Sequence, residues 1–192
     1  MKINQEDASA LQSHDTAYVD LYRTMDSGLH IRTIALIGYL VHALKKNADL
    51  SLSSHIQEEL FDYAQELRSS EVGRHFLNEA VRAVDPSYPI PASDKPERSG
   101  ALENLLETLR AEFRKTNGDA TQAPRTFEAV LRIRDTALTG CFLGALQDKG
   151  IGVTREVEEV LYQAAEAFGA MPEAQVFTRT ECGYKKPQAP HP

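Results

Sequence analysis

The stretch Arg23–Leu44, RTMDSGLHIRTIALIGYLVHAL, occurs twice in this chain. Shifted by 102 residues, Arg125–Leu146 reads RTFEAVLRIRDTALTGCFLGAL, identical at ten of twenty-two positions. Among the identities are Arg23/Arg125, Ile31/Ile133, Arg32/Arg134, Ala35/Ala137, Gly38/Gly140 and Leu44/Leu146. Composition alone does not produce such agreement, and self-similarity at a fixed shift signals repeated architecture. From Leu50 onward the match continues at a shift of 101: Leu50/Ile151, Ser53/Thr154, Ile56/Val157, Leu60/Leu161, Phe61/Tyr162 and Ala64/Ala165.

Each copy reads as helical. Ile34–Val41 and its counterpart are apolar on every side of a 3.6-residue period, so both central helices are expected to be buried all round. The following segments, His55–Arg68 and the one capped by Thr154, carry a single apolar stripe. Ser54 with Gln57 reads as a capping box, Ser70 caps a further helix that Asp85-Pro86 stops, and Gly169 closes the last one. Ahead of each central helix lies a leading amphipathic segment, residues 8–22 and 101–115. Asp26-Ser27 could cap a new helix, or the chain could bend at Gly28.

Together these give an all-α, pseudo-twofold bundle of about seven helices built from residues 8–84 and 101–169. The Pro-rich stretch 85–100 joins the copies, and a polar, mobile tail is expected from 171 to 192. One copy is too thin to surround a helix that is apolar all round, so the two central helices should pack on each other. Gly38 and Gly140 then mark their crossing, or each makes room for a bulky side chain of its own copy; a mid-helix glycine costs about 1 kcal/mol relative to alanine and needs some such reason.

The totals bound the function. The chain has 192 residues, 42% apolar and 26% charged, with net charge −7. That balance suits a cytoplasmic globular protein and opposes a nucleic-acid or anionic-membrane surface, which would need a basic patch. The N-terminus is too polar for a signal peptide, and the longest purely apolar run falls short of a membrane span. Two cysteines, Cys141 and Cys182, make no disulfide scaffold.

Four arginines, Arg23, Arg32, Arg125 and Arg134, recur in both copies. They could converge on an anionic ligand or acidic partner. Otherwise Arg32 and Arg134, embedded in apolar helices, form ion pairs with acids present in both copies, Asp26/Glu128 or Glu58/Glu159. His55, Glu58, Glu59 and Asp62 lie on neighbouring turns of one helix and could hold a metal, or form a solvated face; the second copy has no matching set. The string Glu58-Glu59-Leu60-Phe61-Asp62 resembles the acidic motif of the all-helical MazG-like nucleotide pyrophosphatases, which bind magnesium with such carboxylates, although that family's companion acidic helix motif has no counterpart here. His30 and His42 have Arg132 and Gly144 as their counterparts in the other copy and read as polar edges of the core. No phosphate loop, dinucleotide fingerprint or zinc-protease motif occurs, and no cofactor is expected. The expected function is therefore non-catalytic binding of another protein. The alternative is a small-ligand or metal-dependent helical enzyme with its site between the copies. A homodimer through the amphipathic helices is a third reading.

Overall fold

The computed structural model of the protein describes residues 5–89, 127–171 and 174, with side chains from Tyr18 onward. The described residues form five helices and no strand: α1 Gln5–Asn47, α2 Ser54–Ser69, α3 Glu71–Val84, α4 Phe127–Asp148 and α5 Arg155–Ala170. The protein is all-α. The leading helix expected over 101–115, like Arg125 and Cys182, lies outside the described residues.

The largest departure from the sequence reading is α1. Residues 8–22 and 29–45 are one helix of 43 residues, about 65 Å long at 1.5 Å per residue. Gly28 does not bend it and Asp26 does not cap a new helix. Gly28 is buried against the bundle, and the Asp26 carboxylate is taken by Arg68 of α2, whose Nε and Nη2 reach it at 3.0 and 2.5 Å. Tertiary packing here overrides the local glycine signal.

Helix ends repeat between the halves. Asp49 (φ 50°) and Gly150 (φ 73°) both enter the left-handed region after the central helices. That conformation lets the chain turn back onto the last carbonyls of the helix. The next residue, apolar in both cases, returns its amide to the helix: Leu50 N to Leu44 O at 3.1 Å, and Ile151 N to Leu146 O at 2.9 Å. The first loop spans one residue more than the second, so the change of shift from 102 to 101 is absorbed there. The cap of α2 is Ser53, one residue earlier than the capping box suggests. Its hydroxyl accepts from Ile56 N at 3.4 Å, as Thr154 accepts from Val157 N at 3.3 Å, while Gln57 donates to Leu52 O instead. Ser70 caps α3 as expected, and α5 runs one residue past Gly169 to Ala170.

The main core gathers Leu36, Leu40 and Leu44 of α1, Leu60 and Leu67 of α2, Phe142 and Leu146 of α4, and Leu161 and Phe168 of α5. A second cluster joins α1 to α3 and the start of α4 through Met25, Leu29, Leu77, Val81, Phe127 and Leu131. Tyr88, in the stretch expected to be an extended linker, folds back instead and is buried against the rings of Tyr18 and Tyr22.

The two central helices are not enclosed alike. Helix α4 has buried residues around most of its circumference. Helix α1 keeps one face open, with Ile31 and Ile34 each 38% exposed and Ala35 also exposed. The expectation of a helix buried all round holds poorly for α1, and the reason is specific. Phe76 of α3 covers Ala137, which is fully buried, whereas no described helix takes that place over Ala35.

Candidate functional site

The polar centre of the molecule lies where α1 passes α4. Arg32, Thr33, Arg134 and Asp135 are all buried. Arg32 donates from Nε and Nη2 to the Asp135 carboxylate at 3.2 and 2.5 Å, and from Nη1 to Ala174 O at 2.9 Å. Arg134 donates from Nη2 to Thr33 Oγ1 at 2.5 Å and to Leu29 O at 2.9 Å. Thr33 and Asp135 occupy the same place in the two copies, as do Arg32 and Arg134. Each arginine thus reaches the residue that follows the other, a reciprocal exchange. A buried charge must be paired and hydrogen-bonded, which is what confines this exchange to one geometry. Burial pushes the Asp135 carboxyl above its usual range, while Arg32 and then Arg134 pull it down. Protonation would cost the two arginines the only carboxylate that contacts them among the described residues.

Of the four repeated arginines, the structure therefore brings Arg32 and Arg134 together, with their donors directed at acceptors inside the protein. Arg23 is exposed on α1. The acids expected to pair with Arg32 and Arg134 do not do so: Asp26 binds Arg68 and Glu159 binds Arg155. Sequence reasoning missed Asp135 because it searched for acids present in both copies, and the counterpart of Asp135 is a threonine. The signal was available, since an aspartate inside an apolar helix demands a buried cation.

The acidic group on α2 is dispersed. His55 is 80% exposed and contacts Glu59 at 3.5 Å. Glu59 turns its other oxygen to Lys149 Nζ at 2.7 Å, tying α2 to the end of α4, and this hydrogen bond holds its carboxyl below the usual range. Glu58 and Asp62 point to solvent. Among the described residues no three His, Cys, Asp or Glu side chains gather as metal ligands would. Cys141 is half-buried, and burial raises its thiol pKa, the opposite of an activated nucleophile.

A Cβ at Gly38 would meet the Phe61 ring at 3.8 Å, and one at Gly140 would meet Tyr162 Oη at 3.4 Å. Phe61 and Tyr162 are themselves counterparts. Each glycine therefore makes room for an aromatic of its own half, and no atom of the opposite central helix comes within 4 Å of either Cβ position.

A groove of about 400 Å³ runs between α1 and α5, lined by Arg32, Ala35, Gly38, Tyr39, His42 and Phe168. The Arg32 guanidinium forms its floor, 5.0 Å from the Phe168 ring centroid. Met171 and Ala174 close one side. Ala174 is helical and 7% exposed, so at this one residue the chain is packed against the bundle; the rest of the tail expected from 171 to 192 lies outside the described residues. Tyr18–Asn47 within α1 is long and apolar enough to cross a membrane by length and composition, and half of its most apolar window is buried inside the bundle.

His30 lies one turn from Asp26 on α1, with Arg68 and Arg134 nearby. Its Nδ1 is buried with no hydrogen-bond partner among the described residues. Burial, and then Arg68, lower its pKa from 6.5, while Asp26 works against the shift. A lowered value means the unfolded chain binds more protons as pH falls through 6.5, so stability should drop there. Urea midpoints measured from pH 7.5 to 5 should fall more steeply for the wild type than for His30→Gln. Parallel curves would remove His30 from the acid response.

No family model matches the chain, and neither a curated protein nor a solved structure matches it.

Proposed function

We propose that the protein is a non-catalytic, cytoplasmic adaptor or regulator that binds another protein, built by internal duplication into a pseudo-twofold helical bundle with a C-terminal tail. The observation that carries this reading is the open face of α1. Ile31, Ile34 and Ala35 are exposed there, and Phe61, 37% exposed, lies beside Gly38. Beside Phe61 on α2, Glu58, Asp62 and Glu66 form an acidic row at helical spacing, all exposed. An apolar strip next to an acidic row suits a basic, amphipathic segment of a partner. The reciprocal exchange of hydrogen bonds across the two copies supports the duplication. Two of the four repeated arginines, Arg32 and Arg134, are engaged within the core, which favours binding through the surface.

The test is partner capture from native lysate with wild type, Ile34→Asp and Phe61→Asp. Because both side chains are exposed, each variant should keep its far-UV circular dichroism and lose the partner. Equal capture by all three, or tight stoichiometric binding of a divalent metal or nucleotide by calorimetry, would overturn the reading. The groove over Arg32 favours a second reading, a small ligand or substrate bound between the copies, which the same calorimetry addresses. Light scattering separates a homodimer from either.

A further inference from the structure

We propose that the segment received by the open face of α1 is a helix of a partner protein built like this protein's own α3, with one aromatic side chain seated on Ala35 and basic residues along the edge nearest α2. The proposal rests on the adaptor reading and specifies the partner's docking segment. Its starting point is the unequal cover of identical residues. Ala137 of α4 is fully buried beneath Phe76 of α3, with Val72 and Ile133 packed alongside. The counterparts of Ala137 and Ile133, Ala35 and Ile31, are exposed.

Helix α3 shows what such a seat accepts. It buries Phe76 and Ala80, with Leu77 and Val81 beside them, as one apolar stripe at helical spacing, and leaves Arg74 and Arg82 exposed. On α1, the groove of about 400 Å³ opens directly at Ala35 and Gly38, where no side chain larger than a methyl group blocks entry. Tyr39 and Phe168 form its walls, so an aromatic ring seated there meets two others. The same pair of residues that one half covers with an aromatic-bearing helix is therefore presented by the other half beside a ready cavity.

Charge selects the occupant. Where the halves differ around this face, the first is the more apolar and the more acidic: Ile34 stands for Thr136, Asp62 for Gln163 and Glu66 for Ala167. Glu58 and Asp62 flank Phe61, whose ring reaches Gly38, and both acids are exposed. The groove on the α5 side has no acid in its lining. A docked helix thus meets carboxylates along one edge only, which calls for basic residues on that edge and neutral ones on the other. A second copy of this chain, with net charge −7, is a poor source of such an edge.

The probe is a fluorescein-labelled peptide of the α3 sequence, Ser70–Asp85, carrying Glu71→Lys and Glu79→Lys to make its polar face basic. Added to the full-length protein, it should bind saturably by fluorescence anisotropy, and more weakly as salt rises. Phe76→Ala in the peptide, or Ile31→Asp in the protein with circular dichroism unchanged, should each weaken binding by at least about tenfold. Ile31 lies outside the seat of α3, so its variant separates docking on α1 from exchange with α3 itself. Glu58→Lys with Asp62→Lys should weaken binding severalfold, while Glu156→Lys with Glu158→Lys, the same charge change on α5, should leave it as it was. No binding, as when the chain closes the seat itself, binding indifferent to Phe76 and Ile31, or equal losses from the two charge reversals would each overturn the proposal. So would a homodimer in light scattering that Ile31→Asp dissociates. The adaptor reading fails separately: lysate capture equal for wild type and Ile34→Asp removes it while peptide binding stands.

Discussion

Replacing Asp135 with asparagine should lower the unfolding free energy by about 3–5 kcal/mol, the usual cost of breaking a buried ion pair from one side. Asparagine keeps the size of the side chain and can still accept from Arg32. What it removes is the only carboxylate that contacts Arg32 and Arg134 among the described residues, and both arginines are almost fully buried. Two buried cations would then lose that anionic contact. Removing both ends should hurt less: Arg32→Met with Asp135→Leu replaces the pair by apolar side chains of similar bulk, and such exchanges are often near neutral. Thr33→Val, on the reciprocal side, should cost only about 1 kcal/mol, since Arg134 Nη2 keeps Leu29 O. Urea unfolding of these three variants, together with Arg32→Met and Asp135→Leu made singly, supplies the cycle. A loss under about 1 kcal/mol for Asp135→Asn, or a double variant worse than the single, would mean that the crossing of α1 and α4 is held by the surrounding leucines alone.

That crossing also shows what could be read in advance. The repeat, the helical character of each segment and the caps at Ser70 and Thr154 follow from local chemistry, because spacing and cap residues act over one turn. The position of Asp135 opposite Arg32 does not, since it depends on how two helices 103 residues apart are rotated about each other. Nor need the partner acid recur: Asp135 accepts from Arg32, while its counterpart in the alignment, Thr33, accepts from Arg134 with a neutral hydroxyl. Gly28 misled for a related reason. A lone glycine raises the local cost of helix by about 1 kcal/mol, and burial of Met25 and Leu29 on either side can offset more than that. The open face of α1 was hidden because its sequence is as apolar as that of α4. Whether an apolar face is covered depends on what the chain supplies elsewhere, here α3 for one copy.

Gly73→Ala is expected to be the most damaging single-methyl change in the molecule. Ser70 ends α2 and begins α3, so the first turn of α3 crosses directly over the last turn of α2. A Cβ at residue 73 would overlap Leu67 O and lie 2.9 Å from Arg68 O, both backbone atoms with no rotamer to yield. Leu67 O also accepts from Ser70 N and from the Ser70 hydroxyl at 2.7 Å, so moving it strains the cap that starts α3. Overpacking of a tight site costs about 1–3 kcal/mol, and loss of a serine cap about 1 kcal/mol more. Alanine is otherwise the better helix former by nearly 1 kcal/mol, so a substitution that respected only propensity would stabilise. The sign of the change therefore discriminates. A lower thermal midpoint for Gly73→Ala, with Gly144→Ala as a control whose Cβ meets nothing within 4 Å, would place the cost in the α2–α3 turn. Because Phe76 and Val81 ride on α3, the same variant should loosen the cover over Ala137 and speed amide exchange in the first half of α4.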